Sequence, residues 1–185
     1  MALKLGPITL PWGRAHSDDP FWEFFINTPA ADLENSVVEM MRKAPEGNIF
    51  PVKADLHTPE ITSGHVKELA TYLGADLIGV TKGNDEYPFA VITVVKSDYD
   101  PAHAPGVGGQ VPVQNALYVT FVLSAWMREL GYRATAKEDP EGQRLAAAAK
   151  LGTLNGKGRL TTPKFGSKVY VGNVIWTDLP LVADG

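Results

Sequence analysis

Basic residues, hydroxyls and glycines gather in one stretch, Ala147 to Pro180, and a site for chemistry is most readily sought there. Gly156 and Gly158 bracket Lys157, and Arg159-Leu160-Thr161-Thr162-Pro163-Lys164-Phe165-Gly166-Ser167-Lys168 follows as a polar, basic run with one aromatic. Glycines at this density let the backbone take positive φ or approach another body closely, at an entropic cost that a mere connector would not require. The stretch therefore reads as a ligand-binding loop. A phosphate loop of the Walker type is excluded: in Gly152-Thr153-Leu154-Asn155-Gly156-Lys157-Gly158 the glycine spacing is short, no Ser or Thr follows the lysine, and a helix rather than a strand precedes it. Gly106-Val107-Gly108-Gly109 is likewise no dinucleotide fingerprint, because its spacing is wrong and no strand leads directly into it. Histidines offer little. His57 and His65 stand eight positions apart, not at the i, i+4 spacing of helical metal ligands, and His16 beside Ser17, Asp18 and Asp19 reads as solvated surface, so no metal site is expected.

The elements that must position this loop can be read in chain order. Met1 to Ala31 is rich in Pro, Gly and aromatics (Trp12, Phe21, Trp22, Phe24, Phe25) and reads as an arm that packs on the body, with a dimer contact or a lid as the sharper reading. Ser17-Asp18-Asp19-Pro20 is an acceptable helix start within it. Ala31 to Arg42 carries a helical apolar stripe, and Thr58 to Leu73 opens on a Thr-Pro-Glu cap signal and closes at Gly74. Ala75 to Thr81 and Pro88 to Lys96 are predicted strands around a turn at Lys82-Gly83-Asn84-Asp85-Glu86; the second is apolar enough to be covered on both faces. A long Pro- and Gly-rich connection, Asp98 to Pro112, precedes a helix over Val113 to Leu130 that Gly131 stops. A short strand at Tyr132 to Ala136 leads to a helix started by Asp139 and Pro140, which delivers the chain to the loop. The last strand runs from Val169 to Trp176.

The pattern Leu151-Gly152, Gly158, Thr162-Pro163, Phe165-Gly166, Val169, Gly172 and Thr177-Asp178-Leu179-Pro180-Leu181 resembles the end of the corrinoid-binding domain of reductive dehalogenases, and is similar, more distantly, to the matching part of epoxyqueuosine reductases. Leu73-Gly74-Ala75-Asp76-Leu77-Ile78-Gly79-Val80 and Leu130-Gly131-Tyr132-Arg133-Ala134 resemble the same family in the same order. The resemblance implies an α/β (α+β) fold, a mixed sheet flanked by helices with a nitroreductase-like core, over residues 46–185, with residues 1–45 as an N-terminal arm and helix. It also implies cobalamin as cofactor. A corrin is a planar ring fringed with amides, and holding it takes a flat, largely apolar surface, backbone groups to meet the amides, and room for close approach. By that analogy Leu151, Gly152, Thr153, Gly158, Thr161, Thr162, Phe165, Gly166 and Lys168 lie nearest the cofactor. FMN is the alternative, in a nitroreductase-like protein through a phosphate contact from Lys157 or Arg159, and a cofactor-free interaction subunit whose aromatic N-terminal arm mediates assembly is the competing reading from a different class.

In the dehalogenases a tyrosine donates a proton with a basic or amide residue beside it, and an arginine follows the Phe/Tyr-Gly pair. The resemblance places Tyr118 at the donor tyrosine, Lys137 beside it and Tyr170 at the arginine, where a phenol does not reproduce a permanently charged guanidinium. Family members continue past Asp-Leu-Pro-Leu into cysteine-rich runs that hold iron–sulfur clusters. This sequence has no cysteine, so it is expected to carry no thiolate-ligated cluster, and either binds the corrinoid without reducing it or takes electrons from an external donor protein.

Composition bounds these readings. At 185 residues, 44% hydrophobic and 21% charged, the chain is an ordinary globular protein of about one domain. A net charge of −4 provides no basic footprint for nucleic acid. No membrane-spanning run, secretory signal or twin-arginine pair is evident, and a cytoplasmic location is expected, with a homodimer through the aromatic arm as the assembly the sequence suggests.

Overall fold

The computed structural model describes residues 19–29 and 36–185. Trp12, His16, Ser17 and Asp18, and the first part of the helix expected from Ala31, lie outside them. The elements in order are α1 Pro20–Asn27, α2 Val37–Lys43, α3 Pro59–Leu73, β1 Leu77–Lys82, β2 Phe89–Lys96, α4 Val107–Glu129, β3 Ala134–Lys137, α5 Gly142–Ala148, β4 Thr153–Leu154, β5 Leu160–Thr161 and β6 Val169–Thr177.

One four-stranded sheet of order β1-β2-β6-β3 forms the centre, and β4 and β5 form a separate two-stranded hairpin. The expected α/β class with helices flanking the sheet is what forms. The strand directions are more uniform than a mixed sheet: every adjacent pair is antiparallel. Two features produce this. The six-residue connection at 83–88 folds β2 directly back on β1, with Asn84 Oδ1 accepting from the Glu86 and Tyr87 amides, and β6 then enters between β2 and β3, running opposite to both.

Each sheet face carries its own core. Val80, Val91 and Ile175 meet Val66 and Ala70 of α3 and Val119, Leu123 and Met127 of α4. On the other face Ala90, Ile92, Val94 and Val174 meet Ala146 and Ala149 around α5, together with Leu160 of the hairpin. The apolar run of β2 is thus explained: a strand buried on both faces cannot alternate. At Gly79 a Cβ would stand 2.8 Å from that of Ala149, so only glycine lets α5 lie this close to β1.

Helix starts follow the capping residues. Asp19 accepts from Phe21 N, Ser36 from Glu39 N and Thr58 from Ile61 N, each supplying an acceptor that the first turn lacks. The largest departure from the sequence expectation is α4, which begins at Val107 rather than Val113 and contains Pro112. Its Gly-rich first turn lies where α1 packs. A Cβ at Gly108 would collide with the Phe25 ring and one at Gly109 with Ala104 O, so small residues are kept there for close packing and not for a loop. Asp139 accepts from Glu141 N in the turn just ahead of α5, two residues before the cap position, which Glu141 occupies in place of the Asp139 expected there.

Candidate functional site

The basic stretch is folded more tightly than its composition suggests. Asn155 organises its tip: the side-chain Oδ1 accepts from Lys157 N at 2.9 Å and Arg159 N at 3.0 Å, while Gly158 N donates to Asn155 O. Below the tip, Thr153 pairs with Thr161 and Leu154 with Leu160. Thr162 closes a second turn, exchanging backbone hydrogen bonds with Gly166 while its Oγ1 accepts from Phe165 N at 3.0 Å. Leu160 and Thr162 are buried, whereas Thr153, Leu154, Lys157, Lys164 and Lys168 face solvent. Phe165 is half-buried, with Lys164 Nζ 4.8 Å from its ring centroid.

Most of the glycines here have work within the chain itself. Gly158 and Gly166 take φ of +73° and +58°, the left-handed region that a turn of this kind needs. A Cβ on Gly152 would collide with Thr161 O across the hairpin. Gly156 alone has open space around it and no positive φ.

Beside the hairpin opens a cleft of about 360 Å3, lined by Ser97, Tyr99, Asn155, Lys157, Arg159, Ser167 and Lys168 among others. Arg159 Nη1 donates to Asp100 Oδ2 at 2.9 Å, and that bond together with the Ala102 amide holds the Asp100 carboxyl below the usual carboxylate range. The cleft is polar and rich in donors. Lys168 is the one residue expected nearest the cofactor that lines it.

A second cleft, of about 330 Å3, lies on the opposite face of the sheet, between α2, α4 and β3. Lys137 lines it, with Glu138, Asn173, Glu46, Arg42 and Arg128. Tyr170 is half-buried nearby. Burial raises its phenol above the usual value; Glu138 reinforces the shift and Arg42 opposes it, so the proton stays on at neutral pH. Tyr118 lines neither cleft and is exposed on α4. The structure therefore brings Lys137 and Tyr170 toward one region and leaves Tyr118 apart. The nine loop residues lie on the other side of the sheet.

Two residues escaped the sequence reading. Asn155 is the hub of the hairpin tip, and the Asn-Gly dipeptide was its signal. Arg128 is 4% exposed despite its charge, and its signal was a charged residue continuing the i, i+4 series of Thr120 and Ser124 on the covered face of α4. His57 and His65, eight apart in sequence, do meet, with ring centroids 5.8 Å apart, but no group of three or more metal-ligating side chains forms among the described residues.

The antiparallel sheet of order β1-β2-β6-β3, with α3 and α4 on one face and α5 and the hairpin on the other, is the reductive-dehalogenase-like fold. Among solved structures, the catabolic reductive dehalogenase NpRdhA in complex with 3-bromo-4-hydroxybenzoic acid superposes with a TM-score of 0.67 at 18% identity, over 80% of this chain and 26% of that one. A reductive dehalogenase whose structure suggests a mechanism for B12-dependent dehalogenation matches at 0.66 and 19%, with the same coverage. Epoxyqueuosine reductase bound to a tRNA-Tyr stem loop matches at 0.53 and 16%, over 67% of this chain and 47% of that one. The chain thus spans from about a quarter to about half the length of these structures. No family model and no curated protein matches it.

Proposed function

We propose that this chain is a cobalamin-binding module that carries no iron–sulfur cluster of its own, acting as a reductase served by an external electron donor or as a corrinoid carrier. The observation that carries the reading is the hairpin and the cleft beside it. Tyr99, Asn155, Lys157, Arg159, Ser167 and Lys168 converge there beside Asp98 and Asp100, and these six can donate to the carbonyl-rich amide fringe of a corrin, whereas the Ser97 hydroxyl is already spent on Tyr99 O. Phe165, Leu151 and Leu154 add apolar surface at the hairpin, half-buried or exposed. The donor set fits. The cleft, at about 360 Å3, is at the low end of the roughly 300–1,000 Å3 that enclose a drug-sized ligand, so this chain holds one edge of a corrin and does not envelop it.

Bound cobalamin would supply low-valent cobalt for reductive chemistry. The chain's own residues would orient the ring through the hairpin. Tyr170 and Lys137 lie across the sheet from it and Tyr118 on the outer face of α4, so each would act as a proton donor only toward a ligand on the α4 side and not toward one over a ring held at the hairpin. FMN remains the second reading, favoured by Lys157 and Lys168 at one cleft, which suit a phosphate, with Arg159 there already paired to Asp100. Exposed Phe21 and Phe24 on α1 support self-association through the arm.

The test is to incubate the purified protein with hydroxocobalamin, desalt it and record the visible spectrum, with FMN in parallel. A retained, shifted corrinoid spectrum that weakens in Phe165→Ala and Lys168→Ala is expected. Loss of cobalamin with retention of FMN would make the protein a flavoprotein, and loss of both would overturn the cofactor reading.

A further inference from the structure

The cleft on the α4 side contains the one buried charge among its lining residues. Arg128 is 4% exposed and lines the cleft, yet among the described residues its side chain makes one hydrogen bond, Nη1 to Ala134 O at 2.8 Å. A guanidinium has five N–H donors in a fixed plane. Among the described residues no carboxylate oxygen lies within 4.0 Å of it to form an ion pair. The acidic groups that act on it through space are Glu46, whose carboxylate accepts from Thr135 Oγ1, and Glu129, the next residue along α4.

The other charges around the cleft do not change this balance. Arg42 is held by Glu39 at 2.8 Å. Lys137, Glu138 and Glu46 are solvent-exposed, where water and salt screen them. A largely buried cation with no ion pair among the described residues is costly, and because no guanidinium nitrogen is both buried and unsatisfied, its spare N–H groups are left to the cleft, where a carboxylate meeting the planar fork with two oxygens is the group that suits them best. The walls are mixed: Leu117 and Phe121 of α4, Met41 of α2 and Ala136 of β3 give one apolar side, while Thr120, Ser124 and Asn173 are polar and Glu46 and Glu138 stand at the exposed rim. A volume of about 330 Å3 suits a small molecule rather than a polymer.

We propose that this cleft binds a small organic carboxylate, with Arg128 receiving the anionic head and Phe121, Leu117 and Met41 receiving the apolar body. The site lies on the sheet face opposite the hairpin and does not rest on the cobalamin reading.

Benzoate is a suitable probe, and benzamide is its neutral counterpart of nearly the same shape. Titrating each into the isotopically labelled full chain and following amide resonances is expected to give saturable shifts along α4 and β3, with benzoate binding at least about tenfold more tightly than benzamide. In Arg128→Gln that preference should vanish. Because Arg128 also holds the Ala134 carbonyl, Phe121→Ser provides a second variant at a site 37% exposed; it should fold and weaken both ligands while keeping the benzoate preference. Equal binding of benzoate and benzamide, shifts confined to other surfaces, sulfate competing as well as benzoate, or no saturation at millimolar ligand would each overturn the proposal.

Discussion

Tyr170 shows how a single side chain departs from what its place in the sequence implies. It stands where a permanently charged arginine is expected, and the structure surrounds it with burial, Glu138 and Arg42 instead. Burial is the leading cause of its raised pKa, so the folded phenol keeps its proton at a pH where an unfolded tyrosine, at about 10, loses it. Above that pH the unfolded state binds fewer protons than the folded one, and stability falls as pH rises. Below about pH 10 the contribution is fully present. Tyr170→Phe should therefore give a shallower loss of stability between about pH 9 and pH 11 than the parent chain, measured by urea unfolding at each pH. Tyr87, also raised by burial, stays in both proteins and cancels in the comparison. Identical slopes would mean that Tyr170 titrates as a free phenol.

At the scale of the element, the hairpin formed by β4 and β5 separates glycines needed for folding from those free for a ligand. Gly152 is pressed against the Thr161 carbonyl, whereas Gly156 has nothing within 4 Å of where a Cβ would stand. Gly152→Val should cost about 1–3 kcal/mol through overpacking, so any loss of ligand binding in that variant reports on the hairpin's folding. Gly156→Ala should leave stability within about 0.5 kcal/mol of the parent. Chemical denaturation of the two variants decides this, and a severe effect at Gly156 would show that the tip packs differently. The Thr177-Asp178-Leu179-Pro180 motif is similarly occupied. Asp178 accepts from Arg133 N at 2.7 Å and Arg133 Nε at 3.0 Å, and Thr177 Oγ1 donates to Arg133 O, tying the end of β6 to the start of β3. A motif that resembles a cofactor domain thus has a structural duty in this chain.

Across the whole molecule, the C-terminal segment acts as a clasp. Asp184 pairs with Lys67 of α3, its Oδ2 accepts from Val80 N at 2.8 Å, and its own amide donates to Val80 O. Val182 N donates to Ser63 Oγ at 2.8 Å, and Leu179 and Leu181 are buried in the α3–α4 core. These contacts join residues more than a hundred positions apart, so they close the outer edge of β1 only once the rest has formed. Both partners of the Lys67–Asp184 pair are about a third exposed, which tempers the electrostatic part. Asp184→Ala should cost about 1 kcal/mol and lower Tm by about 2–4 °C, with faster amide exchange in β1 than in β6. Uniform exchange, or an unchanged Tm, would remove the clasp.

Sequence alone determined the elements whose signals are local. The caps at Thr58 and Asp19, the stop at Gly74 with φ of +112°, the two-sided apolar run of β2 and the turn at Asn84 all depend on neighbours within a few residues, and each was legible there. The start of α4 was not, because Gly108 and Gly109 look like a loop until Phe25 and Ala104 are seen pressed against them. Nor could sequence decide which candidate residues meet. Lys137 and Lys168 belong to different clefts because α4 and the hairpin cover opposite faces of the sheet, and Arg128 comes to line a cleft only when α4, α2 and β3 close around it. Local conformation is written in short-range sterics and hydrogen bonds; the meeting of distant side chains is set by how the sheet is ordered, and only the tertiary structure contains that order.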